Sequence, residues 1–356
     1  MNIIKLLLVI CITIFSLNAS VFAAIVQPYQ YNVFAKGQIG TSSIPYGNGV
    51  EGITGSLGNS YFTSFSAQAS HPYSPYSIYS GGSVTINGGS SAYGGIEAAN
   101  TVNLSSVSIQ GNIVSGGNLQ GGFGQIVGSA TLTGNNSSNL TITGLIQSNV
   151  PYTPSQNLQY VKQYFQSASS FWGALSPTAT VTNNFGQLQI SNLLSGRNVI
   201  NLTLSQINNA WGYLVNGPSS AFLVINILDG TPTQTLLKSL SSSLNGGIAS
   251  SNILFNLPNA TNLALSGSYY SILAPNSLVN FNSGSLIGNL IVNNLQGSTY
   301  ITQGEFSGFA ADQNNFMPAP EPSTYLMLSS LLFAITLLKK RQSSLACSKI
   351  SKPFIQ

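Results

Sequence analysis

Short alternating segments punctuated by glycine pairs constrain the fold of this chain more than any other feature. Apolar and polar residues alternate in brief runs at positions 83–87, 102–104, 107–109, 130–133 and 140–143, which is the period of strands buried on one face. Tight corners between the runs are indicated by Gly81-Gly82, Gly88-Gly89, Gly94-Gly95, Gly116-Gly117 and Gly121-Gly122. This pattern predicts rungs of a β-solenoid, each roughly 20 residues long. The alternative is a β-sandwich, which usually needs longer strands.

One segment has helical periodicity instead. Thr153 is a candidate N-cap, Pro154 suits the first helical position, and Gln156 stands three residues after the cap. Apolar residues then recur at spacings of three and four: Leu158, Val161, Phe165, Ala168 and Trp172. The pattern predicts an amphipathic helix over residues 154 to about 174. Because an isolated helix of this length is only marginally stable, we expect its apolar stripe to cover the side of the solenoid.

Strand patterns resume after the helix, from Ala179 onward. Residues 221–227 are almost continuously apolar, as in a strand that is buried on both faces. Further strands are predicted at 188–190, 199–202, 253–257, 263–265, 271–273, 278–281 and 290–293. The sequence therefore predicts a mainly β body with one long helix packed alongside it.

The body carries almost no charge. Asp, Glu, Lys and Arg make up 4% of the chain, against about 25% in a typical soluble domain. Residues 24–317 contain four basic and five acidic side chains, a net charge of −1, because the other basic residues lie near the two termini. Such a surface lacks the Lys and Arg that neutralise phosphates, which argues against a nucleic-acid partner. Cys11 and Cys347 lie outside this body, so a buried core rather than disulfides must stabilise it.

The first 23 residues have the pattern of a secretory signal peptide. Lys5 supplies the positive start, and residues 10–17 belong to the apolar stretch. Val21-Phe22-Ala23 resembles a small-x-small cleavage site, so we expect signal peptidase to cleave between Ala23 and Ala24. The alternative is an uncleaved membrane anchor.

An apolar run near the C-terminus predicts a transmembrane helix. It covers residues 325–338 and is stopped by Lys339, Lys340 and Arg341. Because positive residues that follow an apolar helix stay on the cytoplasmic side, we expect the body to lie outside. Residues 322–338 would span only about 25 Å, against a hydrocarbon core of about 30 Å, a mismatch that a temporary anchor tolerates.

The same region resembles the PEP-CTERM sorting signal of Gram-negative bacteria over residues 318–342. Pro320, Glu321, Pro322 and Ser323 are followed in order by the apolar helix and the basic cluster. The resemblance implies that an exosortase, an integral membrane protease, cleaves near the Pro-Glu-Pro element and releases the body. The family usually ends soon after its basic cluster, whereas residues 343–356 follow here; we interpret them as a cytoplasmic tail. The alternative is a simple single-pass anchor.

The body itself is similar to the choice-of-anchor A family of bacterial surface proteins. Tyr31-Asn32-Val33-Phe34 begins the likeness, and residues 222–227 continue it. Its most specific parts are Phe255-Asn256-Leu257-Pro258 and Leu273-Ala274-Pro275-Asn276. The family's C-terminal anchors vary and include PEP-CTERM, so the two resemblances support each other. The likeness implies a β-rich surface module, with an adhesive role by analogy.

Residues suited to catalysis or metal binding are few. His71 is the only histidine, and no nucleophile-elbow motif is present. One histidine without body cysteines cannot form a zinc site, and Asp229 alone is a weak candidate for Ca²⁺. The spacing of the body carboxylates does not indicate a glycosidase pair, so we interpret them as rung-end or loop residues: Glu51, Glu97, Asp229, Glu305 and Asp312. We predict no catalytic residue, cofactor or metal.

Aromatic and threonine side chains are the remaining candidates for binding. The aromatic residues near the N-terminus fit sugar stacking or core packing, of which we favour packing: Tyr29, Tyr31, Tyr46, Tyr61, Phe62, Tyr73, Tyr76 and Tyr79. Threonines spaced two apart would bind ice only if they stacked into a flat array; they stand at Thr131/Thr133, Thr141/Thr143 and Thr178/Thr180/Thr182. Each set also fits an ordinary strand face.

Four segments are thus expected: a signal peptide at 1–23, a β-rich domain at 24–317, a sorting signal with a transmembrane helix at 318–342, and a tail at 343–356. We expect an exported adhesin or structural protein, first anchored in the inner membrane and then held at the cell surface or in the exopolysaccharide matrix. Its candidate ligands are a polysaccharide or a matrix protein. The alternatives are an ice-binding protein on a similar β-solenoid and, less favoured, an enzyme that acts on matrix polysaccharide.

Overall fold

The computed structural model describes residues 26–68, 74–229, 235–237 and 241–316, and there the backbone coils as a parallel β-solenoid with a helix on its side. Before the helix the strands are β1 Tyr31–Ala35, β2 Tyr46–Glu51, β3 Ile53–Ser56, β4 Ser60–Gln68, β5 Tyr76–Ser80, β6 Val84–Tyr93, β7 Gly95–Ala98, β8 Val102–Gln110, β9 Ile113–Ser115, β10 Leu119–Gly121, β11 Gly124–Ile126, β12 Ala130–Leu132, β13 Thr141–Ile142 and β14 Ile146–Gln147. After it they are β15 Thr180–Asn184, β16 Gln187–Ser191, β17 Gly196–Leu202, β18 Gly212–Asn216, β19 Ala221–Ile227, β20 Thr235–Leu237, β21 Ser241–Asn245, β22 Ile253–Asn256, β23 Asn262–Leu265, β24 Ser271–Phe281, β25 Ser285–Ile287 and β26 Leu290–Thr302.

Parallel pairing stacks these strands into three faces around one core. Face 1 contains β1, β3, β5, β7, β9, β12, β14, β17, β19, β22 and the first residues of β24 and β26. Face 2 contains the first parts of β4, β6 and β8 with β10, and also β20, β23, the later part of β24 and the middle of β26. Face 3 contains β2, the later parts of β4, β6 and β8, and β11, β13, β25 and the end of β26.

The register confirms the solenoid expected from the sequence. On face 1, Ile78 pairs with Ile96, Ile96 with Ile113 and Ile113 with Ala130, so one rung takes 17 or 18 residues there. The alternating apolar residues point inward and form a single buried core. Parallel ladders between successive rungs are not the antiparallel pairing of a β-sandwich, so that alternative was wrong.

The chain begins in the middle of the stack rather than at one end. Strand β1 pairs with β3 on one side and with β26 on the other, placing Val33 opposite both Thr54 and Leu290. From β1 the rungs proceed outward to β14. The chain then crosses to β17 at the opposite extremity and winds back inward to β26. We call these two extremities the β14 end and the β17 end.

The expected helix is confirmed and lies against face 1. Helix α1, Leu158–Gly173, buries Val161, Phe165 and Trp172 against the outward side chains of face 1. Its 16 residues extend about 24 Å, which is about five rungs at the strand spacing of about 4.8 Å. The helix therefore bridges the two halves of the stack.

Helix α1 starts four residues later than the sequence pattern predicted. Its N-cap is Asn157, whose side chain accepts a hydrogen bond from the backbone N–H of Tyr160 at 3.0 Å. Thr153 does not cap it because the preceding segment is held in a non-helical conformation: Ser155 donates both its backbone N–H, at 2.8 Å, and its hydroxyl to Glu97 on face 1. A tertiary contact thus overrides a good local capping signal.

Two short helices and an aromatic cluster complete the cover of face 1. Helix α2, Leu204–Asn209, instead follows β17 and places Ile207 in the inner core. The helices over face 1 are α3 Ser307–Ala311 and α4 Gln313–Phe316. Phe306, Phe309 and Phe316 pack edge-on or tilted against Trp172, and the hydroxyl of Tyr164 donates to the carbonyl of Phe309 at 2.7 Å. The end of the described chain is therefore attached to α1.

A row of asparagines connects α1 to three neighbouring rungs. Asn201, Asn226 and Asn256 lie opposite one another in the face 1 register. Asn226 donates to the side-chain oxygen of Asn201 at 3.1 Å, and Asn256 donates to that of Asn226 at 2.8 Å. Both buried members also donate to helix carbonyls, Asn226 to Trp172 and Asn256 to Ser169. We call this row the asparagine ladder.

The β17 end carries a separate small sheet. Strands β15 and β16 form an antiparallel hairpin, and β16, β18 and β21 continue it in parallel. Within the described ranges no helix is long and apolar enough to cross a membrane. The transmembrane helix and the signal peptide expected from the sequence lie outside those ranges.

Candidate binding surface

Faces 2 and 3 between β4 and β13 present rows of polar side chains to solvent. On face 2 the apolar members of each strand, such as Val84 and Ile86, point into the core. The alternate positions point outward and lie in register from rung to rung. They form the face 2 ladder: Tyr61, Thr85, Asn103 and Gln120. Neighbouring members are about 4.8 Å apart, the spacing of paired strands.

A sharp corner separates the two faces. Ser64, Gly88 and Ser106 occupy it on successive rungs, with φ of 45°, 80° and 55° respectively. This left-handed backbone turns the chain from face 2 to face 3 within a single residue. The stacked corner keeps the outward positions of both faces aligned along the solenoid.

Face 3 has a similar row of outward positions. The face 3 ladder includes Ser66, Ser108, Gln125 and Thr141; Gln125 lies opposite Ser108 on one side and Thr141 on the other. The amide of Gln125 donates to the hydroxyl of Ser108 at 3.1 Å. No member of either ladder is charged. Hydroxyl and amide groups both donate and accept hydrogen bonds, so this surface matches an uncharged ligand rich in hydroxyl groups or ordered water.

Two of the body carboxylates hold the backbone at the edges of rungs. Glu51 accepts from the hydroxyl of Tyr300 at 3.0 Å and from the backbone N–H of Gln303 at 3.1 Å. Asp229 accepts from the backbone N–H of Leu204 at 2.9 and 3.0 Å, at the start of α2. Both contacts are structural, as the interpretation of these residues as rung-end or loop groups expected.

Asp312 joins the end of α1 to the last helices. One of its oxygens accepts from the indole N–H of Trp172 at 2.8 Å, and the other pairs with Arg197 at 2.9 Å. The guanidinium of Arg197 also lies 5.2 Å from the ring centre of Phe171. Asp312 therefore has a structural role and is not a member of a carboxylate pair. We call its contacts with Trp172 and Arg197 the Asp312 clasp.

Glu97 lines a cavity of about 560 Å³ between face 1 and the start of α1. The hydroxyl of Tyr152 donates to it at 3.1 Å, beside the two donors from Ser155. Burial raises the pKa of Tyr152, and the charge of Glu97 raises it further. Apolar groups such as Leu57 and Leu158 line much of the remainder. The carboxylate is buried and serves to fasten the segment before α1.

The other candidate residues fall into three groups. Tyr31, Tyr46, Phe62 and Tyr79 are buried, which confirms the packing interpretation of these aromatics. The threonine pairs do not meet in one array: Thr131 lies on face 1, Thr141 on face 3, and Thr180 on the hairpin at the β17 end. The remaining candidates lie outside the described residues: Ala23, Ala24, His71, Tyr73, Pro320, Glu321, Pro322, Ser323, Lys339, Lys340 and Arg341. In the part of the chain that is described, no three His, Cys, Asp or Glu side chains cluster closely enough to hold a metal ion.

Sequence reasoning missed the two ladders and the asparagine ladder. The signal for the last was present, because Val199-Ile200-Asn201, Val224-Ile225-Asn226 and Leu254-Phe255-Asn256 repeat one apolar-apolar-Asn pattern. The outward ladders had no such signal, since their members differ in residue type from rung to rung.

Comparison with known proteins adds a family. Among curated protein sequences, none is significantly similar to this chain. The solved structures with some likeness include an ice binding protein from an Antarctic bacterium of the Flavobacteriaceae (14% identity, 79% of this chain and 98% of that one, TM-score 0.26). Another is a possible adhesin C-terminal domain from Caldicellulosiruptor kronotskyensis (11% identity, 82% and 97%, TM-score 0.22). TM-scores this low support no conclusion about this chain. Residues 27–306, however, match the family described as "Putative Ice-binding-like adhesive domain", and the chain belongs to that family.

Proposed function

We propose that the protein is an exported, non-enzymatic adhesive or structural module, and that faces 2 and 3 bind an uncharged polysaccharide of the cell surface or matrix. One observation carries the proposal: the outward ladders offer only neutral hydrogen-bonding groups, repeated at the strand spacing along two adjoining faces. An extended polymer with hydroxyl groups along its length can make the same contact on several rungs. Membership of an adhesive-domain family supports a place outside the cell or at its surface.

The distribution of charge supports the same ligand class. Carboxylates of the body form hydrogen bonds or an ion pair within the protein, as Glu51, Glu97, Asp229 and Asp312 do. Binding therefore would depend little on salt, since screening acts on charged partners. This distinguishes the proposal from adhesion to an acidic polymer.

The test is a glycan and matrix-protein array probed with the purified protein. We expect retention on neutral polysaccharides, and a loss of affinity of at least about tenfold (~1.4 kcal/mol) in the double variant Asn103→Glu with Gln120→Glu. These side chains point outward on face 2, so the substitutions leave the core intact. The matched control places the same charges on the exposed hairpin strand β15, as Thr180→Glu with Thr182→Glu, and should bind normally. A blank array, or equal loss in both double variants, contradicts the proposal.

Ice is the second candidate ligand, because the family description names ice-binding-like domains. The ladders vary in residue type rather than repeating threonine, so we favour the polysaccharide. Thermal hysteresis decides between them: a gap between the melting and freezing points of ice, abolished by Asn103→Glu with Gln120→Glu, would establish ice binding. Ordinary ice growth in the presence of the protein rejects it.

We also propose that the chain belongs to the choice-of-anchor A group and reaches the surface through its two terminal segments. Signal peptidase would cut after Ala23, and residues 318–342 would hold the protein in the inner membrane as a PEP-CTERM signal until an exosortase cleaves. The support is the order of Pro320-Glu321-Pro322, apolar run and Lys339-Lys340-Arg341 in the sequence.

Mass spectrometry of the surface fraction tests this route. We expect a mature protein that begins at Ala24 and ends near Pro320. Recovery of intact Gln356 from the surface fraction contradicts exosortase processing, and an intact Met1 there contradicts removal of the signal peptide.

A further inference from the structure

The β14 end of the solenoid exposes a group of large apolar side chains. Leu145 is 73% exposed and Ile146 48%, and both belong to the last rung before α1. Phe123, 82% exposed, and Val127 lie in the rung next to it, on which residues 139–143 stack. Scattered single apolar residues are normal on a protein surface, but adjacent exposed ones at the open end of a stack indicate a site of interaction.

The backbone at this end is also available for pairing. Among the described residues, β13 pairs only with β11 and β14 pairs only with β12, so no described strand lies on their outer edges. The β17 end differs. There Thr178 covers the edge of β17. The N–H of Thr178 donates to the carbonyl of Val199 at 2.8 Å, and the hydroxyl of Thr178 accepts from the N–H of Val199 at 2.9 Å.

The residues described at the β14 end lack the usual protection of an edge strand. Natural proteins protect exposed edges with charged side chains, proline or a covering segment. Residues 98–161 contain no charged side chain, and neither β13 nor β14 contains proline. Solenoids normally end in a polar cap that prevents stacking, whereas Leu145 and Ile146 stand there instead.

We propose that the β14 end is an interface at which a second copy of this chain docks end to end. Within the stack, the edges of successive rungs are hydrogen-bonded in parallel over a continuous core. The β14 end leaves such an edge without a partner strand among the described residues, and a second β14 end supplies another edge with which it can pair. Because residues 98–161 contain no charged side chain, two β14 ends do not repel each other electrostatically.

A twofold axis fits the pairing chemistry. Related by twofold rotation, two copies of β14 meet antiparallel, a pairing that short strands readily form. Leu145 and Ile146 of each copy would then be removed from water. The association leaves faces 2 and 3 uncovered, so it would place two ladder-bearing surfaces in one elongated particle.

Sedimentation velocity of the full chain in a mild detergent, over a wide range of concentration, is the first test. We expect reversible dimers, and a dimer dissociation constant at least about tenfold higher (~1.4 kcal/mol) in Leu145→Lys and in Ile146→Lys. The matched control is Phe185→Lys, which places the same charge at the β17 end on a side chain that is 96% exposed. Since the three positions are exposed, circular dichroism should show unchanged folding.

Crosslinking provides a second, independent readout. In a background of Cys11→Ser and Cys347→Ser, Leu145→Cys should form interchain crosslinks with a short bismaleimide, and Phe185→Cys should not. A wild-type chain that stays monomeric at every concentration overturns the proposal. So does association that Leu145→Lys leaves unchanged, which would assign it to another part of the chain, and so does equal crosslinking at both ends.

Discussion

Replacing Asn256 by leucine tests whether the asparagine ladder holds α1 on the solenoid. The side chain is fully buried, donates to Asn226 and to the carbonyl of Ser169, and accepts from the hydroxyl of Ser169 at 2.6 Å. Leucine is similar in size but can neither donate nor accept. Asn256→Leu therefore leaves the amide oxygen of Asn226 and the hydroxyl of Ser169 buried without these partners.

The magnitude follows from those two groups. An unpaired buried polar group costs about 1–3 kcal/mol, so we expect the free energy of unfolding to fall by about 2–5 kcal/mol. Equilibrium urea denaturation, followed by far-ultraviolet circular dichroism, measures it. Asn201→Leu is the matched control: Asn201 is exposed and accepts one ladder bond at 3.1 Å, so its loss should stay below about 1 kcal/mol.

A double variant sharpens the test. Replacing both partners of a buried hydrogen bond by apolar groups costs less than orphaning one of them, so Asn226→Leu with Asn256→Leu should destabilise by less than the sum of the single variants. A free energy of unfolding within about 0.5 kcal/mol of wild type for Asn256→Leu would refute the reasoning, and so would equal losses for Asn256→Leu and Asn201→Leu.

Three further predictions concern other contacts of the fold. Trp172→Phe removes the indole hydrogen bond to the Asp312 carboxylate and should cost about 1.5–3 kcal/mol in a denaturation experiment; Trp211→Phe, at a 58% exposed site, is the control, and equal effects would contradict the clasp. Gly297→Ala should destabilise more than Gly196→Ala: both need positive φ, but only at Gly297 does the added carbon meet a backbone carbonyl, that of Phe281, so equal melting temperatures would be inconsistent with the packing. Burial raises the pKa of several tyrosines in the folded state: Tyr31, Tyr46, Tyr79, Tyr164 and Tyr213. The stability that each contributes is therefore complete below about pH 10 and falls above it by up to about 1.4 kcal/mol per pH unit. Phenolate absorbance should appear together with the loss of circular dichroism, and titration of these tyrosines near pH 10 in a folded protein would count against their burial.

The period of the sequence was enough to predict the fold class. Alternation in runs such as residues 83–87 reports which side chains enter the core, and that information is local. The doubly buried strand at 221–227 was predicted correctly for the same reason: its inner side chains enter the core and its outer ones lie beneath α1. The helical stripe from Leu158 to Trp172 likewise carries its own period.

The order of the rungs could not be predicted in this way. The pairing of Val33 with Leu290 joins residues far apart in sequence, and no local pattern specifies it. The predicted start of α1 was wrong for a related reason, since the contact of Ser155 with Glu97 is also long-range. The ladders of faces 2 and 3 depend on register, which the sequence of each strand alone does not state.

Both ends of the described chain belong to the cluster of side chains that packs around α1. Val26 and Phe316 belong to the same aromatic and aliphatic cluster as Trp172. In a stack pulled by its last strand, one rung after another can peel away under a small force, because each step breaks only one edge. A pull transmitted through residues beyond Phe316 instead loads the aromatic cluster, the contacts of Asp312 and α1 together. Because α1 packs across several rungs of face 1, such a force is shared among many rungs and does not act on a single edge strand.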